Sequence, residues 1–437
     1  MSPTTQDTRT ETERLIERRA KLLGPAYRLF YDQPLHLVRG EGVWLHGADG
    51  KRYLDAYNNV ASVGHCHPHV VEAIARQAAT LNTHTRYLHD GVLDYAERLL
   101  ATMPPALGHA MFTCTGSEAN DLAMRIARAH TKGTGLIVTR FAYHGVTSAI
   151  AEASPSLGQY VRLGDAVRTV PAPDSYRTEP EALGKAFAAG VREAIADLRA
   201  HGLQPAALMV DTVFSSDGIY TDPPGFLGEA VDVIREAGGV FIADEVQAGL
   251  ARSGDAMWGF QRHGVVPDIV TMGKPLGAGH PLAGIAVRPE VLAAFARESR
   301  YFNTFGGNPV AMAAGSAVLD VIEREGLLAN AQAVGGHLRD GLRELAAKHP
   351  LIGDVRGAGL FVGVELVTDR ATKAPATAKT ARVVNAMRER GVLLSSTGPH
   401  ANTLKIRPPL VFSRGDADLL ISTLDAALGV DPDPAGR

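Results

Sequence analysis

The middle of this chain alternates short apolar runs with longer segments of helical period, and this alternation is the feature that most limits its fold. The runs are rich in β-branched residues and lack polar alternation, as strands buried on both faces do. They cover 135–140, 206–212, 239–246, 268–274 and 283–289, and helix-like segments occupy 117–130 and 181–202. Repetition of strand, helix and strand predicts a mostly parallel α/β sheet flanked by helices.

The pattern changes after about residue 305, which indicates a second domain. A helical segment beginning "NPVAMAAG" is followed by the strand-like runs "LFVGVELV" and "TLKIRPPLVF" and by a final helix, "DADLLISTLDAAL". This mixture predicts a smaller α+β domain at 306–437, and the tail "DPDPAGR" is expected to be frayed. Residues 1–60, with the hairpin-like "GVWLHGADGKRYLDA", are assigned to the same small domain, which leaves 61–305 as the large domain.

Charge and composition exclude several classes of partner. The chain has 44 basic and 47 acidic residues and a formal net charge of −3, so no global field favours nucleic acid or a membrane surface. Two cysteines, Cys66 and Cys114, have no metal-ligand spacing and predict a reducing compartment, with the cytoplasm as the default. The polar N-terminus and the lack of an apolar run of about 18 residues predict neither secretion nor membrane spanning. We therefore expect a small-molecule partner.

Polar residues stand where the predicted strands end, and ligands of open parallel sheets collect at such ends. Asp211 and Asp244 close two strands, and Lys274 follows a third. The turn "CTGSEAND" runs from a strand directly into a helix. There Gly116 allows close backbone approach, Ser117 offers a hydroxyl, and the helix amides favour a dianion. This is a candidate phosphate site, although Ser117 could equally be an ordinary helix cap.

The single basic residue in "PDIVTMGKPLGAGHPLAG" has three interpretations. A phosphate-binding NTPase loop is excluded, because position 268 is Asp rather than Gly and position 275 is Pro rather than Ser or Thr. A solvated lysine is the usual role of this residue type. An amine beside a phosphate site and an aspartate, however, matches what pyridoxal 5'-phosphate requires: Lys274 for the Schiff base and Asp244 for the pyridine nitrogen. Tyr143, in "FAYHGVT", could stack on the ring.

Over nearly its whole length the sequence resembles the class III (ω-) aminotransferases of pyridoxal-phosphate fold type I. The resemblance is carried by "GVWLHGADGKRYLD", "TGSEANDLAMRIAR", "YHG", "FIADEVQAG", "PDIVTMGKPLGAGHPLAG", "NTFGGNP" and "RPPLVF". It implies a large domain with a mostly parallel seven-stranded sheet, a smaller α+β domain, and pyridoxal 5'-phosphate as the cofactor. It also implies a homodimer whose two active sites are each completed by the other chain.

The resemblance also implies roles for individual residues. It assigns Lys274 to the Schiff base, Asp244 to the pyridine nitrogen, Gly116 and Ser117 to the cofactor phosphate, Tyr143 and Val246 to the two faces of the ring, Gln247 to the side of the phenolic oxygen, and Thr304 to the phosphate of the partner subunit's cofactor. Asp211, which closes the strand beside Asp244, is counted with the cofactor-binding residues.

The chain departs from this family at positions that bear on the substrate. Typical amino-acid members have an arginine three residues before a "PP" pair, where this chain has Lys405, and two glutamates where it has Asp211 and Ser216. The gate for a substrate carboxylate is therefore missing. The stretches "NNVASVGHCHPHVVEAI", "LNTHTRYLHD" and "YFNTFGGNPVAMAAG" look closest to the branch that contains the ethanolamine-phosphate phospho-lyases.

That branch implies a lyase that eliminates phosphate from O-phosphoethanolamine or a similar phosphorylated amino alcohol. Lys405 and Arg407 are the candidates for binding the departing phosphate, with a solvated strand face as the alternative. An ω-amine or β-amino-acid aminotransferase that uses a keto-acid acceptor is the alternative function.

Two further interpretations are disfavoured. His65, His67 and His69 occupy alternate positions, which in a strand would place all three side chains on one face, as in a metal site. Pro68 would interrupt such a strand, so no metal is expected. A transcription regulator built on the same fold would need a helix-turn-helix domain, and only about 40 residues precede the family match. We therefore expect no nucleic-acid partner.

Overall fold

The computed structural model describes residues 10–429, so the tail "DPDPAGR" lies outside the described residues. The strands in this range are β1 (Leu37–Glu41), β2 (Trp44–Gly47), β3 (Arg52–Asp55), β4 (His109–Thr113), β5 (Gly135–Thr139), β6 (Val167–Val170), β7 (Pro205–Asp211), β8 (Val240–Asp244), β9 (Ile269–Met272), β10 (Ala283–Val287), β11 (Ile352–Ala358), β12 (Phe361–Asp369), β13 (Ala374–Pro375), β14 (Val392–Leu393), β15 (Ser395–Thr397) and β16 (Thr403–Ile406).

The α-helices in the same range are α1 (Glu11–Leu23), α2 (Pro68–Ala78), α3 (Asp90–Ala101), α4 (Gly116–Thr131), α5 (Ser148–Ala151), α6 (Pro180–Ala200), α7 (Gly228–Glu236), α8 (Gly259–Arg262), α9 (Pro289–Glu298), α10 (Pro309–Arg324), α11 (Leu327–Lys348), α12 (Thr377–Glu389) and α13 (Arg414–Gly429). No described helix is both long enough and apolar enough to cross a membrane.

A seven-stranded sheet organises the middle of the chain, in the order β4-β10-β9-β8-β7-β5-β6. β10 runs antiparallel to both of its neighbours, and the pairs from β9 to β6 are all parallel. The mostly parallel α/β sheet predicted from the sequence is therefore confirmed. The antiparallel β10 could not be foreseen, because a strand buried on both faces has the same apolar sequence in either direction.

Helices cover both faces of this sheet, which explains the unbroken apolar runs. Along β7, Ala207 and Met209 join the buried cluster of α4, whereas Leu208 and Val210 join the cluster that contains α6 and α7. Successive side chains of a strand point to opposite faces, so both faces of β7 need apolar residues. Helices thus cover both faces of the sheet, and a ligand can approach it where its strands end.

Two smaller sheets involve the chain ends. One has the order β1-β2-β3-β14, so a strand of the C-terminal part extends the N-terminal hairpin, and the other has the order β11-β12-β16-β15, with β13 on β12. The largest cluster of buried apolar side chains includes residues of every part of the chain. The domain boundaries at residues 60 and 305 therefore stay a prediction.

Two predicted elements differ in length from the observed ones. The helical segment that begins at "NPVAMAAG" forms two helices, α10 and α11, divided at Gly326, whose φ of +62° is a left-handed conformation that favours glycine. The strand predicted for "TLKIRPPLVF" ends at Ile406, because Pro408 and Pro409 have no amide hydrogen for a sheet.

Candidate active site

A cavity of about 240 Å³ lies at the carboxyl edge of the seven-stranded sheet and gathers most of the predicted cofactor residues. Its lining includes Gly116, Ser117, Tyr143, Asp211, Asp244, Val246, Gln247 and Lys274. The topology explains the convergence, because β7, β8 and β9 are parallel neighbours and end at the same edge. Asp211 and Asp244 are register partners at the ends of β7 and β8.

The start of α4 forms one end of the cavity. Thr115 is the cap of this helix: its hydroxyl accepts the Glu118 amide at 3.2 Å, and the Glu118 carboxylate accepts the Thr115 amide at 2.9 Å. The interpretation of Ser117 as the cap is therefore wrong; its hydroxyl instead accepts the Val146 amide at 3.1 Å. A Cβ added at Gly116 would lie 3.1 Å from Val246, so glycine lets Val246 pack closely against the start of the helix, whose first amides have no partner within the helix. This geometry suits an anion.

The buried carboxylate of Asp244 lines the same cavity. One of its oxygens is bonded to His144 Nδ1 at 2.7 Å and accepts Asn120 Nδ2 at 3.0 Å, and the other accepts the Val246 amide at 3.1 Å. These contacts fix the orientation of the carboxylate, which can therefore hold a positively charged group in the cavity.

Sequence reasoning missed His144 and Asn120, although local signals for both exist. Asn120 follows Ser117 by three positions on α4, so the two side chains share one face of the helix. His144 directly follows Tyr143 in the segment after β5. Each side chain also has one buried polar atom, Asn120 Oδ1 and His144 Nε2, without a hydrogen-bond partner among the described residues.

Lys274 also lines this cavity; it follows β9 after Gly273 and begins a short 3₁₀ helix. Its φ of +35° is unusual for a residue with a side chain, and such strain is common at functional sites. The ammonium lies 5.9 Å from the centre of the Tyr143 ring. Burial, followed by the charge of Arg407, lowers the pKa of Lys274 to about 8, against the opposing effect of Asp244 and Asp211.

We expect the capture of an aldehyde by Lys274 in the cofactor-free protein to accelerate with rising pH. Only the neutral amine is nucleophilic, and with a pKa of about 8 its fraction rises from about one tenth at pH 7 to about nine tenths at pH 9. The initial rate of pyridoxal-phosphate incorporation, followed by absorbance, should therefore increase by about tenfold over this range and level off above it. Equal rates at pH 7 and pH 9 would contradict this prediction.

A second cavity, of about 350 Å³, shares Lys274 with the first and is also lined by Arg407 and Tyr57. Arg407 donates from Nε to the Tyr57 carbonyl at 2.9 Å and from Nη1 to the Gln247 side-chain oxygen. The neighbouring Lys405 lines neither cavity, and its ammonium donates to the Ser215 carbonyl at 2.9 Å.

The two cations differ from a solvated strand face in both burial and pairing. Lys405 and Arg407 are each only 6% exposed, and neither forms an ion pair with a carboxylate in the part of the chain that the structure describes. Burial and the charge of Arg407 hold the pKa of Lys405 well below its ordinary value. Buried cations are normally in contact with a carboxylate. Here the charge of Asp211 is near enough to act on both cations, but no described carboxylate contacts either of them.

Asp211 lines the first cavity, but its carboxylate is already engaged by the backbone. Its two oxygens accept the amides of Val213 at 3.1 Å and Ser215 at 3.0 Å. Burial and the nearby charge of Asp244 raise the pKa of Asp211. Asp211 therefore shapes the segment that offers the Ser215 carbonyl to Lys405.

Two groups of sequence candidates do not meet at these cavities. Thr304 is exposed and lines neither of them, so its role toward a partner subunit, and the homodimer itself, stay predictions. His65, His67 and His69 are bonded to three different carboxylates, those of Asp55, Glu325 and Asp320. Each of the three imidazoles therefore has its own carboxylate partner. Pro68 begins α2 instead of continuing a strand.

Comparison with known proteins adds relatives of two kinds. The family model described as aminotransferase class III matches residues 30–428. Alanine–glyoxylate aminotransferase 2-like protein from Drosophila melanogaster is 42% identical, with 94% of this chain and 86% of that protein covered. Ethanolamine-phosphate phospho-lyase homolog 1 from Caenorhabditis elegans is 38% identical, with 97% and 95% covered.

Solved structures are similar over almost the whole fold. A phospholyase from Arthrobacter in complex with phosphoethanolamine is 45% identical, has a TM-score of 0.93, and is matched over 96% of this chain and 100% of its own. An aminotransferase from Bacillus anthracis is 30% identical, with a TM-score of 0.87 and 98% and 99% covered. The similar proteins thus include both lyases and aminotransferases by name.

Proposed function

Because this chain belongs to the class III aminotransferase family, whose cofactor is pyridoxal 5'-phosphate, we propose that it is a phospho-lyase acting on O-phosphoethanolamine or a similar phosphorylated amino alcohol. In the proposed reaction the carbon–oxygen bond to the phosphate breaks after a proton leaves the amine-bearing carbon. The released enamine takes up a proton and water and gives an aldehyde and ammonia. One phosphate is released for each amine consumed, and no second substrate is needed except water.

The observation that carries this proposal is the pair of buried cations without a carboxylate partner. Lys405 and Arg407 contact only neutral acceptors, and Arg407 lines a cavity together with Lys274. A substrate phosphate would supply the directly contacting anion that Arg407 lacks and would be stabilised as it leaves. A gate for an amino-acid carboxylate is not formed, because the position expected for its glutamate is Ser216.

The relatives support the same substrate class. The Arthrobacter phospholyase is described in complex with phosphoethanolamine, and the Caenorhabditis relative is named an ethanolamine-phosphate phospho-lyase homolog. Both are matched by more than nine tenths of this chain.

The residues of the first cavity suit the cofactor. We propose that the amides and hydroxyl at the start of α4, from Gly116 and Ser117, bind its phosphate and that Asp244 pairs with its ring nitrogen. Tyr143 and Val246 would enclose the ring, and Gln247 would lie beside its phenolic oxygen. When bound, pyridoxal phosphate supplies an electron sink for the carbon that carries the substrate amine.

The chain's own residues then perform the proton transfers. Lys274, whose lowered pKa leaves part of it neutral near pH 8, would accept the proton from the amine-bearing carbon at Nζ. Asp244, fixed by His144 and Asn120, would keep a proton on the ring nitrogen. Arg407, which lines the cavity, would neutralise the departing phosphate, and the nearby Lys405 would add positive charge without lining the cavity. Both effects would lower the barrier to breaking the carbon–oxygen bond.

The names of other relatives favour a second candidate, an ω-amine or β-amino-acid aminotransferase with a keto-acid acceptor. Two relatives at 42% and 41% identity are named alanine–glyoxylate aminotransferase 2-like or homolog. The same cofactor residues would serve this reaction, but the amine would be passed to an acceptor and the phosphate ester would stay intact.

A substrate comparison tests the proposal. Holoprotein is supplied either with O-phosphoethanolamine alone or with an unphosphorylated ω-amine plus pyruvate, and phosphate, aldehyde and alanine are measured. We expect the larger kcat/KM with O-phosphoethanolamine, with phosphate and aldehyde formed in equal amounts. A larger kcat/KM for the amine and pyruvate pair, without phosphate release, would establish the aminotransferase instead.

We expect Arg407→Met to damage the use of the phosphorylated substrate selectively. Loss of a charge-assisted contact costs about 1.5–3 kcal/mol, so kcat/KM for O-phosphoethanolamine should fall by about 10- to 150-fold. Turnover of an unphosphorylated amine with pyruvate is the matched control and should fall far less. Equal losses for the two substrates would show that Arg407 does not contact the phosphate.

A further inference from the structure

Arg252 is a second unpaired arginine, deeper in the protein than Arg407. It lies in the loop between β8 and α8, is 1% exposed, and is among the largest fully buried side chains. No described carboxylate pairs with it, and its Nε and Nη2 atoms have no hydrogen-bond partner in the described structure. A buried arginine without a counter-charge is unfavourable for folding, so a reason other than stability is needed for its presence.

The contacts of Arg252 join two segments of the site. One is the loop after β8, which also carries Gln247, and the other is the segment after β16, which carries Arg407. Nη1 donates to the backbone carbonyls of Leu360, at 3.1 Å, and of Pro408. The Leu360 amide donates back to the Arg252 carbonyl at 3.1 Å, so the loop and the turn between β11 and β12 are fastened in both directions. A Cβ added at Gly359 would overlap the Arg252 carbonyl oxygen, so glycine at this position permits the close approach of the loop to the turn.

The backbone of the same loop is strained immediately before Arg252. Leu250 and Ala251 have φ values of +57° and +63°, which residues with side chains rarely adopt. Strain of this kind persists where the surrounding contacts impose a conformation, and it is concentrated near functional sites. The loop thus combines two unfavourable features, consecutive left-handed residues and an unpaired buried charge.

Two routes connect Arg252 to Arg407, one through Pro408 and one through Gln247. Pro408, whose carbonyl Arg252 holds, directly follows Arg407 in the chain. Gln247, whose side-chain oxygen accepts Arg407 Nη1, belongs to the loop that carries Arg252. The two guanidinium groups are close enough that the charge of Arg407 adds to burial in lowering the pKa of Arg252 to about 9.

We propose that Arg252 is a positioning residue that fixes the Arg407 guanidinium in the substrate cavity by holding the Pro408 carbonyl. The inference rests on the proposed function, because it takes Arg407 as the group that meets the phosphate of the substrate. Arg252 itself would touch neither substrate nor cofactor. Its loss should therefore weaken binding of a phosphate while the cofactor remains bound.

The test compares wild-type holoprotein with Arg252→Lys and Arg252→Gln. Both replacements can donate to one carbonyl, but neither can reproduce the arginine geometry. We expect folded variants that retain the cofactor with affinity within about twofold of wild type. The KM for O-phosphoethanolamine should rise about tenfold with kcat changed much less, and the Kd for inorganic phosphate, measured by calorimetry, should rise by a similar factor. The KM for an unphosphorylated amine should stay nearly constant.

A double-mutant cycle separates positioning from a general structural role. In an Arg407→Lys background, Arg252→Lys should raise the KM for O-phosphoethanolamine by no more than about twofold, because its effect passes through Arg407. The proposal would be overturned if the KM effects of the two substitutions were additive or if KM changed equally for phosphorylated and unphosphorylated amines. It would also be overturned if neither Arg252 variant gave folded holoprotein. If wild-type protein releases no phosphate, the proposed function fails; the phosphate-binding comparison still decides the role of Arg252, because it needs no turnover.

Discussion

Replacement of Lys274 by alanine is expected to reduce turnover of every substrate by at least about a thousandfold, the largest effect that we predict. The change removes the amine that lines the cavity together with the start of α4 and Asp244, and no other lysine of residues 10–429 lines the two cavities. It therefore removes both the group that would bind the cofactor covalently and the base that would accept the proton. Initial rates and the absorbance of the cofactor measure the two consequences separately.

A matched control for this variant is Lys132→Ala. Lys132 is exposed and pairs with Glu298 at 3.0 Å, far in sequence from the strand ends that form the site. An exposed ion pair contributes little to stability, so this variant should be as active and stable as wild type. If Lys274→Ala kept more than about a tenth of wild-type turnover, Lys274 could not have the role assigned to it.

Asp244→Asn is expected to lower turnover by about a hundredfold or more, which makes it the second largest effect. The replacement keeps the shape of the side chain and removes its charge, so a protonated ring nitrogen would lose its partner. Asparagine has only one acceptor oxygen, so either the His144 and Asn120 contacts or the Val246 amide would also lose an acceptor. Steady-state kinetics, together with a titration of cofactor affinity, would show whether kcat or cofactor binding is affected more.

The control for this variant is Asp268→Asn, at the opposite end of the neighbouring strand β9. Asp268 is buried and bonded to Arg235, Arg288 and the Phe241 amide. The Arg235 and Arg288 side chains are 35% and 23% exposed, so the cost should be smaller than the about 3–5 kcal/mol of a fully buried ion pair. This variant should unfold at a lower temperature and keep a kcat within about twofold of wild type. The assignment of Asp244 fails if its asparagine variant behaves as this control does, with lower stability and normal kcat.

The sequence predicted those parts of the fold and site that depend on local patterns. Apolar runs without alternation identified the central strands, and their ends placed Asp211, Asp244 and Lys274 at one edge. The resemblance to class III aminotransferases and the pyridoxal-phosphate cofactor are confirmed by the family match. These predictions succeeded because strand burial and the position of strand ends follow directly from residue order.

Other features depend on contacts between distant residues, which the sequence does not reveal. The antiparallel β10 and the bonds of His144 and Asn120 to Asp244 required the structure. The cap of α4 is different, because Thr115 and Glu118 have the T-x-x-E spacing of a capping box and could have been chosen over Ser117 from the sequence alone. Lys405 and Arg407 could be singled out by position, but their burial without a counter-ion could not. That burial changes the interpretation of the pair, because a solvated strand face would be exposed.

The most direct test of the central claim is the number of phosphate ions released per active site from O-phosphoethanolamine when no keto acid is present. Without an acceptor, an aminotransferase stops once each cofactor has taken up one amine, whereas a lyase continues to turn over its substrate. We predict many equivalents of phosphate, matched by equal amounts of acetaldehyde and ammonia, with Lys274→Ala releasing essentially none. Release of one equivalent or less, with the substrate amine retained on the protein, would contradict the account.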